Sequence, residues 1–156
     1  MSIYQIVEIG DEVLRAETAE VRRFDERLHQ LLADMAETMY HAEGVGLAAP
    51  QVGISKKVVV IDVGEGLIEL VNPVILEKKG RQVGEEGCLS VPGKYASIPR
   101  ANWVKVKAQD RYGKEFEIEG EGFLARAFQH EIDHLSGILF VDLIEEKGLF
   151  KSWRKK

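Results

Sequence analysis

The chain has 156 residues, of which 45% are apolar and 30% charged, with a net charge of −5. These values predict one domain, 1–156, with a core of ordinary size, and exclude both a disordered chain and a general nucleic-acid binder. A single cysteine, Cys88, excludes an internal disulfide framework, and no signal peptide or membrane-spanning run stands out, so a cytoplasmic protein is expected.

Residues 1–23 read as extended or irregular, with a helical turn near Asp11 to Leu14. Asp25 can cap a helix running to about Ala42. Leu28, Leu31, Leu32, Met35 and Met39 form its apolar stripe, while Glu26, Arg27, Gln30, Asp34 and Glu37 are expected to face water. His29 and His41, near its ends, lack ligand-spaced partners and read as ordinary surface histidines.

The stretch Gly44-Val45-Gly46-Leu47-Ala48-Ala49-Pro50-Gln51 comes next. Gly44 suits the end of the helix, and Gly-Val-Gly lets another backbone approach closely. Gln51 is a lone amide in apolar company.

Val58 to Val63 is a continuous β-branched strand, Gly64-Glu65-Gly66 a turn, and Leu67 to Val71 the returning strand of a hairpin. Asn72-Pro73 is expected to break that strand, leaving Val74-Ile75-Leu76 as a separate one. Glu85 to Pro92 is bracketed by glycine and proline, and Cys88 within it reads, by itself, as a small buried apolar residue. Trp103 to Ala108 and Glu115 to Glu119 are strands around the turn Asp110-Arg111-Tyr112-Gly113.

Gln129-His130-Glu131-Ile132-Asp133-His134-Leu135 lies on a helix, because Phe123, Leu124, Ala127, Phe128, Ile132 and Leu135 recur at helical intervals, with Gly137 past the end. Residues four apart share a helix face, so His130 and His134 can grip one divalent ion. Glu131 beside them can act on water as a general base. The third ligand is open: Phe140 stands where a metzincin-like third histidine would fall, Glu145 and Glu146 leave little chain for another ligand helix, and Cys88 with two imidazoles makes a recognised zinc or iron set. Val141 to Ile144 is a possible closing segment, and residues 151–156 form a basic tail.

Gly44 to Gln51, Glu86-Gly87-Cys88-Leu89-Ser90, and Gln129 to Leu135 stand in the order of three motifs of peptide deformylase, G-x-G-L-A-A-x-Q, E-G-C-L-S and Q-H-E-x-D-H-L. The chain resembles that family from about residue 4 to 144. The resemblance implies that Cys88, His130 and His134 bind the metal. It implies Fe²⁺ as the native ion, with Ni²⁺ or Co²⁺ as working substitutes and Zn²⁺ often poorly active; the residues alone would favour zinc. The implied reaction is hydrolysis of the N-formyl group from N-formylmethionyl polypeptides, releasing formate. Glu131 would move the proton, while the Gln51 side-chain amide and the Leu89 backbone N–H would stabilise the oxyanion.

The resemblance further places Gly44, Val45, Gly46 and Gly87 alongside an extended peptide. Methionine would enter a pocket near Val45, Phe123 and Ala127. Arg126 and Gly84 depart from the aliphatic and bulkier residues of other members and leave the lining of that pocket open. Arg100 would touch the substrate chain or pair with Glu86, and Asp133 would orient a neighbouring group. The six-residue tail is short for the ribosome-docking helix of some members, so only a weak ribosome contact is implied, with no membrane and no specific nucleic-acid partner. A zincin-type peptidase and a structural metal site are the rival readings; the first lacks its ligand at Phe140, and the second would leave Glu131 without a role. The expected fold is α+β, with short, mostly antiparallel strands around the metal-binding helix and one further long helix.

Overall fold

A computed structural model describes residues 2–144; the basic tail, 151–156, and Glu145 and Glu146 lie outside them. The first helix, α1 (Glu26–His41), starts where Asp25 Oδ1 accepts the Leu28 N–H at 3.2 Å. Its end differs from expectation. The N–H groups of Glu43 and Gly44 bond back to Tyr40 O (3.0 Å) and Met39 O (2.9 Å), and the left-handed residue is Glu43, at φ 60°, not Gly44. Gly44 instead gives Leu89 room: a Cβ there would lie 2.8 Å from Leu89 Cδ1, which would have to shift.

Among the described residues the strands are β1 (Gly46–Ala48), β2 (Val58–Ile61), β3 (Ile68–Lys79), β4 (Gln82–Cys88), β5 (Val91–Arg100), β6 (Trp103–Gln109) and β7 (Glu115–Glu121). They form an antiparallel five-stranded sheet, β1-β2-β3-β6-β7, and a separate β4–β5 hairpin. The second helix, α2 (Phe123–His134), follows β7. The fold is α+β, as the sequence implied.

Strand β2 explains its own composition. Val58 and Val60 pack with the α1 stripe of Leu28, Leu31, Leu32, Met35 and Met39, while Val59 and Ile61 pack with Ala125, Ala127 and Phe128 of α2. A strand covered on both faces has no position for a polar residue. Each side chain so buried contributes about 1.5–3 kcal/mol, which favours this sandwich strongly. The contact of α2 with β7 is close enough that a Cβ on Gly120 would sit 2.6 Å from the Phe128 ring.

Two expectations change. Asp34 does not face water; it is buried and accepts the N–H of Ser2 and the Gln30 amide, each at 2.9 Å, because the N-terminal segment folds over α1. Asn72-Pro73 does not end a strand, since β3 runs through it with a shift of register between Val71 and Val74. Asn72 adopts φ 52°, and its side chain bonds Val21 N (2.8 Å), Val21 O (2.9 Å) and Gln109 Oε1 (2.8 Å). The bulge spares the ladder a donor that proline lacks.

Candidate metal centre and cleft

Cys88 ends β4, and His130 and His134 lie one turn apart on α2; one donor atom from each falls within a cluster no wider than 4.8 Å. Cys88 Sγ is 3.4 Å from His134 Nε2. His130 Nδ1 lies 2.9 Å from Glu86 Oε1, which leaves Nε2 for the centre. Helix periodicity brings the histidines together, but only the packing of the β4–β5 hairpin against the segment after α2 delivers the sulfur.

The donor set fits a divalent cation. Burial pulls the His130 imidazole down, yet Glu131, Cys88 and Glu86 around it raise it to about 10. The cluster therefore calls for positive charge. His134 is driven the other way, well below its ordinary value, by burial and by the charge of His130, so its imidazole is neutral with a lone pair to offer. Three soft or borderline donors suit a transition metal of the zinc or iron kind.

Around this set runs a ring of contacts that the resemblance implied only in part, at Arg100 and Asp133. Glu86 is buried and receives Arg100 Nη2 and Nε at 2.8 Å each, as well as Arg126 Nη1 at 2.5 Å. Burial raises its carboxyl, but the Arg100 and His130 bonds outweigh that and leave it at about 2. Asp133 holds Arg100 from the far side, accepting Nη1 at 2.7 Å. Of the two expectations for Arg100, the pairing with Glu86 is present, and Arg100 does not line the cleft. Gln129 pins α2 to Ala101 through two 3.0 Å bonds. Phe140, in the place of a third histidine, stacks on His130 with ring centroids 6.1 Å apart.

The centre opens into a cleft of about 460 Å³. Gly44, Val45, Gly46, Gln51, Gly87, Cys88, Leu89, Phe123, Arg126, Ala127, His130 and Glu131 all line it, so the expected substrate residues other than Arg100 are brought together there. Val45 and Phe123 present exposed apolar surface at its mouth. Gln51 Oε1 accepts the Ala48 N–H (3.0 Å), which turns Nε2 toward Ser90 Oγ (3.2 Å) and Cys88 Sγ (3.5 Å). Ser90, buried, and the N-terminal segment are supports that sequence reading missed: Val7 N–H bonds Gln51 O (2.7 Å) and Ile9 N–H bonds Ser90 O (2.8 Å). No periodicity or spacing marks such long-range backbone pairs.

Glu131 is buried, and its Oε1 has no hydrogen-bond partner within the protein. Burial raises its carboxyl to about 7, with the lowering by His130 outweighed. A carboxyl of that kind, facing a cleft and beside a metal-type donor set, can exchange a proton near neutral pH. His29 takes no part; it bonds Arg111 O at 2.9 Å on α1. His41 is exposed.

The polypeptide deformylase family model matches residues 3–149. Among curated relatives, the peptide deformylase of Desulfitobacterium hafniense is 59% identical over 91% of this chain and 95% of its own length. That of Pelotomaculum thermopropionicum is 54% identical over 91% of this chain and 92% of its own. Among solved structures, a peptide deformylase from Legionella pneumophila superposes with a TM-score of 0.91 at 50% identity, covering 98% of this chain and 92% of its own. One from Synechococcus elongatus in complex with actinonin gives 0.90 at 43% identity, with 92% and 80% covered.

Proposed function

This chain belongs to the polypeptide deformylase family, and from that premise we propose how its residues divide the work. It is a hydrolase that removes the N-formyl group from the N-terminal formyl-methionine of newly made polypeptides, releasing formate. The observation that carries the residue assignment is the convergence of Cys88, His130 and His134, with Glu131 beside them on the cleft.

Cys88 Sγ, His130 Nε2 and His134 Nε2 would hold one divalent ion, Fe²⁺ in this reading, and Ni²⁺, Co²⁺ or Zn²⁺ could occupy the same donors. When bound, the ion would supply Lewis acidity to the hydrolysis. Glu131 takes the proton from the attacking water and delivers it to the departing nitrogen as the C–N bond breaks. The Gln51 amide and the Leu89 backbone N–H donate to the oxyanion, and loss of one such donor costs on the order of 10²–10³ in rate.

The peptide adds along β1, which is a sheet edge among the described residues, with Gly44 to Gly46 on one side and Gly87 on the other. Backbone pairing of this kind accepts many sequences after the first residue. The methionine side chain enters beside Val45, Phe123 and Ala127. Arg100 serves by holding Glu86, and through it His130, since its donors are taken by Glu86 and Asp133. No helix among the described residues is long and apolar enough to cross a membrane. We place the reaction in the cytoplasm, where its polypeptide substrates are made, and assign the basic tail, 151–156, a weak ribosome contact on its charge.

Anaerobically iron-loaded protein is expected to release formate from formyl-Met-Ala and to leave the free-amine peptide Met-Ala uncleaved. Cleavage of Met-Ala without formate would return the chain to the peptidases. The iron form is also expected to lose activity in air faster than the nickel form, through oxidation of iron and of the Cys88 thiolate; equal lifetimes would overturn the iron assignment alone.

A further inference from the structure

The Gln51 amide and the Leu89 N–H have to reach one oxygen, yet they are carried by separate parts of the fold. Gln51 lies in the 3-10 turn Ala49–Val52 after β1, and Ala49 and Val52 belong to the core cluster beneath α1. Leu89 and Ser90 are the two-residue turn of the β4–β5 hairpin, closed where Cys88 pairs with Val91. That hairpin is a sheet of its own and packs with Leu139, Phe140 and Val141. Two side chains cross between these parts: the Gln51 amide bonds Ser90 Oγ, and Leu89 rests on the α1 cluster.

The N-terminal segment adds a tie made of backbone. The N–H groups of Val7 and Ile9, two residues apart on one stretch, reach Gln51 O and Ser90 O respectively. One acceptor is on the residue that bears the amide, and the other is one residue past Leu89. Both acceptors belong to buried residues, where a lost donor costs most. Ile9 itself is 41% exposed, so its N–H, and not its side chain, makes the connection.

We propose that residues 7–9 are a strap that sets the separation of the two oxyanion donors, with Val7 and Ile9 as positioning residues acting through their main-chain N–H groups. The proposal rests on the deformylase reading. Donors to an oxyanion act in the transition state, so a slackened strap lowers kcat and kcat/KM together and leaves KM in place. A strap that merely stabilised the fold would show in melting temperature or metal content instead.

Proline at position 9 isolates the bond. Glu8 O accepts the Asp11 N–H at 3.2 Å, and Gly10 at φ 109° gives this turn the left-handed third residue of type II, whose second position suits proline. The test measures kcat and KM for formyl-Met-Ala, metal content and melting temperature in wild-type holoenzyme, Ile9→Ala and Ile9→Pro. Alanine trims the same side chain and keeps the N–H, so it is the reference. Against it, Ile9→Pro is expected to lose about tenfold in kcat, with KM and metal content unchanged. In a Gln51→Ala background one donor is already gone, and adding Ile9→Pro should cost less than about twofold more. Equal kcat in Ile9→Pro and Ile9→Ala overturns the proposal, as does a loss confined to KM or metal. A full tenfold loss repeated in the Gln51→Ala background also overturns it. Should Ile9→Pro fail to fold, the α-hydroxy analogue of isoleucine incorporated at position 9 exchanges N–H for oxygen without constraining φ, and the same outcomes decide. Wild-type protein that releases no formate defeats the deformylase reading itself, a result distinct from an active enzyme indifferent to the strap.

Discussion

Glu131 and Glu86 are both buried carboxyls within reach of His130, yet their surroundings drive them apart. Glu86 is bracketed by Arg100, Arg126 and His130 and stays ionised, so it can orient an imidazole but has no proton to give. Glu131 has an unpartnered oxygen and a carboxyl raised to about 7 by burial, which suits proton transfer. Glu131→Gln keeps the shape while removing the proton acceptor. Metal content and fold should persist while formate release falls at least about 10²-fold. Elemental analysis alongside the assay checks this; metal loss, with activity restored by added metal, would contradict the role.

At the scale of elements, β1 and α2 crowd each other at Gly46. A Cβ on Gly46 would lie 2.5 Å from Glu131 Oε2 and 2.8 Å from its Cδ and Cγ. Gly46 sits in paired strand without a positive φ, so its backbone tolerates alanine, and the three closest collisions all fall on the Glu131 side chain. Gly46→Ala should therefore fold yet lose on the order of 10²-fold in kcat/KM, the scale associated with a displacement near 1 Å at a reacting group. Thermal melting measured beside kinetics checks the pairing of these outcomes. Undiminished kcat/KM would mean that Glu131 has room to yield without consequence.

Across the whole molecule, the two ends of the described chain are joined by Arg15, whose Nη1 and Nη2 reach Asp142 Oδ2 (2.5 Å) and Oδ1 (3.1 Å) and whose Nη1 also bonds Gly137 O (3.0 Å). Burial raises the Asp142 carboxyl, but the Arg15 bond, the Leu139 N–H and the Arg15 charge outweigh it and leave it below its ordinary value. A lowered carboxyl stabilises the fold above its unfolded pKa, and that contribution fades as pH falls through the folded one. The pair is substantially exposed, so Asp142→Asn should cost less than about 1 kcal/mol at pH 7. Denaturant titrations at pH 7 and below about 4 should show the gap between wild type and variant closing at the acid end. A gap that widens there would assign the tie to something other than the carboxylate.

The sequence by itself determined both helices, the strands β2, β6 and β7, and the chemistry within one helix; it did not mark β1, β4 or β5 as strands. The α1 stripe is legible because its period is that of a helix, and His130, Glu131 and His134 are legible because four residues return the chain to one face. The doubly covered β2 could be read as a continuous apolar run, though not which helix covers which face. The three motifs linked Cys88 to the histidines through resemblance, while spacing alone left the third ligand open. Only tertiary structure decided that Asp34 is buried, that β3 passes through Asn72-Pro73, and that Arg100 and Arg126 both hold Glu86. Each of these depends on groups far apart in the chain, Ser2 with Asp34 or Gln82 and Gly84 with Arg126, and such pairs leave no period in a sequence. What specifies them is packing: which polar group has its partner, and which glycine leaves room for another residue's side chain.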